Sequence, residues 1–68
     1  MKKRLMQLQD SDLQRQVSIP IGFGQTESGV LTDYYGSIDE ESHAFIAVEL
    51  DKNLIFFLQP NTQIEIID

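Results

Sequence analysis

The stretch Gly29–Leu58, GVLTDYYGSIDEESHAFIAVELDKNLIFFL, carries most of the chain's large apolar residues and decides its fold. It reads as three strands joined by two polar turns. Ala44 to Leu50 alternates, with Ala44, Ile46, Val48 and Leu50 on one face and Phe45, Ala47 and Glu49 on the other, which is the period of a half-buried strand. Asp51-Lys52-Asn53 follows as a hairpin turn, because asparagine tolerates the left-handed conformation that short hairpins require. Leu54 to Leu58 is a run of five apolar residues, LIFFL, and such a run predicts a strand covered on both faces. One face can meet the chain's own core; the other needs the N-terminal segment or a second subunit. Upstream, Val30 to Ile38 predicts a strand of less regular alternation. Gly36 is its expected bend, since glycine within a strand often marks one.

Outside this stretch the pattern is sparser. Val17 to Phe23 places Val17, Ile19, Ile21 and Phe23 on one parity and predicts a strand. Pro20 removes a ladder donor and so belongs at an edge or an unpaired position. Gly24 to Gly29, GQTESG, predicts a polar turn. Its glycine spacing superficially suggests a phosphate loop, but no helix and no lysine follow, so the hairpin reading stands. Gln59-Pro60-Asn61-Thr62 breaks the chain as one 3₁₀-type turn before a last strand that begins with Ile64 and Ile66. Residues 1–16 predict a short helix from the spacing of Leu5, Leu8 and Leu13 and a capping box at Ser11 and Gln14; an extended arm is the alternative. The expected division is therefore an N-terminal helix or arm over 1–16 and a β domain over 17–68.

Length and charge narrow the function. At 68 residues the chain is one small domain, near the size at which disulfides, metals or oligomerisation usually supplement the core. It has no cysteine, which removes disulfides and thiolate zinc sites and leaves oligomerisation as the favoured supplement. No apolar run reaches the roughly 18 residues of a membrane span, and the basic start lacks the apolar region of an export signal. A cytoplasmic location is the default expectation. Residues 1–15 carry a balance of +2, whereas from Gln16 onward Lys52 alone opposes nine carboxylates, a balance of −8. A body this acidic repels phosphate backbones, so nucleic acid is a poor partner.

Five short strands, a bent second strand and a one-turn break before the last resemble a small SH3-like barrel. With an N-terminal helix the resemblance is to the Sm-like family, which includes bacterial RNA chaperones. It covers roughly residues 17–68, and its best local piece is Gly29-Val30-Leu31, similar to the glycine-x-leucine that opens the family's second strand. The resemblance implies a barrel and an assembly of copies. Its RNA-binding residues do not carry over: the family's aspartate four positions after that leucine is Tyr35 here. The asparagine of its RNA-binding loop has no counterpart in Glu40-Glu41-Ser42-His43, and Gln59-Pro60 stands where arginine-glycine is frequent.

Candidate sites follow from what remains. One histidine, no cysteine and scattered serines supply no nucleophile with an oriented base, so no catalytic residue, cofactor or metal ligand is assigned and the chain is read as a non-enzyme. Asp39, Glu40 and Glu41 read as a solvated hairpin tip rather than a cation site, since a hard cation needs convergent oxygens. Tyr34, Tyr35, Phe45, Ile55, Phe56 and Phe57 are the interface candidates, because strand aromatics without interleaved Lys or Arg suit protein contacts better than bases. The expected function is a self-associating interaction module. The alternatives are an Sm-like RNA-binding protein, or an acidic regulator that docks Asp39, Glu40 and Glu41 on the basic surface of a nucleic-acid-binding protein.

Overall fold

The computed structural model describes residues 1–67; the expected domain end at 68 lies outside them. The chain is mainly β and forms one six-stranded antiparallel sheet with 3₁₀ turns and no α-helix. Its strands are β1 (Lys2–Arg4), β2 (Gln16–Gly22), β3 (Gln25–Ile38), β4 (Ala44–Leu50), β5 (Leu54–Leu58) and β6 (Gln63–Ile66). They lie in the order β1-β6-β2-β3-β4-β5, so the sheet curls but does not close, and β1 and β5 are its two edges.

The curl comes from β3. Over 14 residues it pairs first with β2, from Gly22↔Gln25 to Gln16↔Val30, and then with β4, from Leu31↔Leu50 to Ile38↔Ala44. The register slips between Leu31 and Asp33, and a bulge of this kind sharpens the local bend. The expected bend at Gly36 is thereby corrected: Gly36 pairs regularly with Ile46. The bulge also accounts for the irregular alternation of this strand. Gly29 and Leu31 face the core before it, and Tyr34, at even parity, packs on the core after it.

Gly29 is where the two halves approach most closely. A Cβ there would lie 2.6 Å from Asp51 Oδ1 and 3.3 Å from Leu50 Cβ. Asp51 Oδ1 accepts the Val30 N–H at 3.0 Å, so the absent side chain makes room for the bond that ties the β4–β5 turn to β3. In that turn Lys52 and Asn53 take φ of 68° and 62°, in keeping with the expected left-handed asparagine. β4 and β5 have the bounds expected from sequence.

The core joins the two halves of the curl. Val17, Ile19, Ile64 and Ile66 come from one half and Leu31, Val48 and Leu50 from the other, with Leu5 and Leu8 added from the N-terminal segment. That segment is not a helix. Lys2–Arg4 pairs with β6, and 3₁₀ turns at Leu5–Gln7 and Asp10–Asp12 follow. The Leu5 and Met6 N–H groups donate to Thr62 and Pro60 carbonyls, and Gln14, at φ 70°, donates to Leu31. These tertiary bonds replace those a helix would make, so helix propensity is overridden and the Ser11–Gln14 capping box does not form. Six strands rather than five result, and the N-terminal residues belong to the same sheet.

The β2–β3 turn also differs from expectation. Its two central residues are Phe23 and Gly24, at φ 53° and 74°, and Gln25 already pairs with Gly22. Positive φ at both central positions is the tight hairpin turn whose twist suits flanking strands. Gln25 to Gly29 is thus strand rather than turn, and its polarity reflects a hairpin that projects past the core. Pro20 lies beyond the reach of β6, which pairs with β2 only at Val17 and Ser18, so the strand is locally an edge there, as its missing donor requires. The expected break before the last strand is a turn closed by Thr62 N–H to the Gln59 carbonyl at 3.0 Å.

Candidate interface at the open sheet edge

Cross-strand register sorts the six aromatic and aliphatic candidates onto two faces. Tyr34, Val48 and Phe56 stand in one row, and Tyr35, Ala47 and Phe57 in the next. Successive residues of a strand point to opposite faces, so the first row packs on the core and the second lies on the reverse of the sheet. Tyr34 and Phe56 are half-buried against the core. The Tyr34 hydroxyl donates to Asp10 Oδ1 at 2.9 Å; burial, and then this bond to a carboxylate, raise its pKa above the ordinary 10.

The reverse face holds the other four. Tyr35, Ile55 and Phe57 are 44%, 45% and 62% exposed. Phe45 meets Phe57 edge to face at a centroid separation of 5.5 Å, an arrangement aromatic quadrupoles favour. Ala47 lies between Tyr35 and Phe57 in register and is fully buried. Its small side chain lets the flanking rings close over it, so the reverse face is a packed apolar layer rather than a scatter of exposed residues. Neither the N-terminal segment nor any other described residue covers Ile55 and Phe57, and the burial of LIFFL on both faces is realised on the core side alone. The outer edge of β5 likewise has no strand beside it among the described residues.

Acidic groups rim this layer. Asp33 and Glu49 oppose each other in register at one end, and Asp39, Glu40 and Glu41 form the turn at the other. Asp39 organises that turn: its Oδ1 accepts the Glu41 and His43 N–H groups at 2.9 and 2.8 Å. The His43 Nδ1 lies 3.3 Å from Asp39 Oδ2. Of the three candidate docking carboxylates, Asp39 is therefore committed to holding the turn, while Glu40 and Glu41 are exposed. No group of three or more His, Asp or Glu side chains suited to a metal ion occurs among the described residues.

The sequence reading did not single out a second site, at the opposite edge. Lys3 Nζ bonds Asp12 Oδ2 at 2.7 Å, and that oxygen also accepts the Gln9 N–H at 2.9 Å. Asp12 is the one buried charged residue of the described chain. Burial opposes its charged form, but the Lys3 and Gln9 bonds outweigh it and hold the carboxyl below its ordinary 3.8. The only signal in sequence was the isolated basic cluster Lys2-Lys3-Arg4 ahead of an acidic body. Nor was Phe23 foreseen as a tip residue; it is fully exposed in a left-handed conformation. The chain matches no family model, no curated protein and no solved structure.

Proposed function

We propose that this protein is a non-enzymatic interaction module that self-associates through the β5 edge and the apolar layer around Phe57. The observation that carries the reading is the chemistry of β5. It is a five-residue edge strand with no charge, proline or bulge, whereas exposed edges are normally defended by such features. A second β5 running antiparallel beside the first would extend the sheet. It would also set Ile55 and Phe57 of each copy against those of the other, in a patch with an apolar centre and polar rim. The contact is isologous and closes at two copies. An SH3-like organisation of the five strands β6-β2-β3-β4-β5 is part of this reading, supported by the sharply bent β3 and the turn before β6.

The test is mass in solution. Light scattering at micromolar concentration is expected to give twice 7.8 kDa, and a single 7.8 kDa species overturns the reading. Salt separates it from the nucleic-acid alternative. Two copies that each carry a charge of −6 repel each other, and screening strengthens their association, while binding to RNA weakens with salt.

A second reading has its own observation. The Asp39-ordered turn holds Glu40 and Glu41 out into solvent, which suits docking on a basic protein surface. Neutralising Glu40 and Glu41 while keeping Asp39 is expected to release such a partner in a pull-down; retention of the partner would sink it.

A further inference from the structure

The opposite end of the sheet carries a second edge, on β6, which the chain covers with its own residues. β1 supplies three register pairs: Lys2↔Glu65, Lys3↔Ile64 and Arg4↔Gln63. What holds it there is polar. Its side chains are exposed or half-buried, and the Lys3–Asp12 ion pair is its one side-chain anchor to a buried group. The first deeply buried apolar residue is Leu5, at 1% exposure, and it is fastened separately by its N–H to Thr62. β1 is therefore a detachable strip: lifting Lys2 to Arg4 leaves the core and its first anchor in place. Beneath it lies the four-residue edge of β6, Gln63–Ile66.

We propose that β1 guards a latent second interface whose occupant is β5 of another copy. This rests on the β5 reading above. β5 is one residue longer than β6 and wholly apolar, so it spans that edge without adding a charge to it. With the guard seated, only β5 is open, and association closes at two copies. With the guard lifted, β5 of one copy meets β6 of the next. That contact is heterologous, and each added copy presents a new edge. Ladder alternation sharpens the prediction. The Leu5 N–H donates to Thr62 and the Ile66 N–H to Met1, so Lys3, two positions from each, points its amide at β6, while the amides of Lys2 and Arg4 point outward.

The experiment compares the mass of wild type, of a chain lacking Lys2, Lys3 and Arg4, and of Lys3→Pro, which removes the inward amide. Each is checked for its β signal by circular dichroism. Wild type is expected at two copies, and both variants above two, with mean mass that rises with concentration. Adding Phe57→Glu to the shortened chain is expected to abolish the larger species, because it disables the donor strand. Folded variants that remain at two copies overturn the guard. So do larger species that survive Phe57→Glu, or a wild type that already exceeds two copies. Loss of fold in both variants also overturns it, since β1 would then be integral rather than detachable. Wild type at one copy instead sinks the β5 reading itself, so the two failures are distinct.

Discussion

The two edges of this sheet are built from opposite materials. β1 is three residues long and entirely basic; β5 is five residues long and entirely apolar. Shortness and positive charge are two of the ways in which proteins keep an edge from recruiting a stranger. β1 has both and β5 has neither. Small size therefore does not explain the bare edge, because the same chain defends its other end. The contrast also separates two kinds of burial. At β1 a carboxylate is buried because a lysine meets it. At β5 aromatic rings shelter one alanine and remain largely exposed themselves.

The largest effect should come from carrying charge to the open edge. Phe57→Glu places a carboxylate at the centre of the proposed contact and is expected to weaken association by about 2–4 kcal/mol, the scale of an interface hot spot. Sedimentation should show one copy where wild type shows two, with the melting temperature of the single copy little changed. Next is the defended edge. Lys3→Ala leaves Asp12 buried with only the Gln9 N–H, and should lower unfolding free energy in urea by roughly 1.5–3 kcal/mol, the range for hydrogen bonds to charged groups.

Acid provides a subtler measure of the same pair. A carboxyl held below 3.8 in the folded state contributes stability in full above that value, and loses it as pH falls through the folded pKa. Wild type should therefore lose stability between pH 5 and pH 3, and Lys3→Ala should lose less over that interval, as read from urea midpoints at the two pH values. Equal slopes would show that Lys3 does not set the titration of Asp12. The smallest effect is expected from Lys2→Ala. Its cross-strand partner Glu65 is 45% exposed, and surface pairs of this kind contribute within about 0.5 kcal/mol.

The parts of the fold legible in sequence are those where side chains dictate backbone. β4 and β5 alternate or run apolar against a core, and Asn53 sits where its conformational tolerance is used. What was illegible is set by backbone pairing instead. Lys2–Arg4 has no apolar period and becomes strand because β6 offers it partners. Gln25 to Gly29 looks like a turn by composition and becomes strand because β2 lies beside it. The bulge had a signal that was available: Leu31 and Tyr34 both face inward and are three residues apart, a break in a period of two. Gly36 drew attention by residue type, while the bend sits where β3 changes partner. Of the proposed site, Tyr35, Phe45, Ile55 and Phe57 share the open face, whereas Tyr34 and Phe56 turn to the core, a division that depends on register across that bulge.

The pairing of Lys2 with Glu65 has a consequence for the order of folding. It joins residues near opposite ends of the described chain, and contacts of such separation form late because a long loop must close first. The β4–β5 hairpin, closed by a short turn, can form early. Each molecule therefore passes through a stage in which β5 is present and β6 is still bare. Refolding at high concentration should lengthen the exposure of that stage to neighbours, so yield and species distribution should depend on how fast the first few residues reach the last strand.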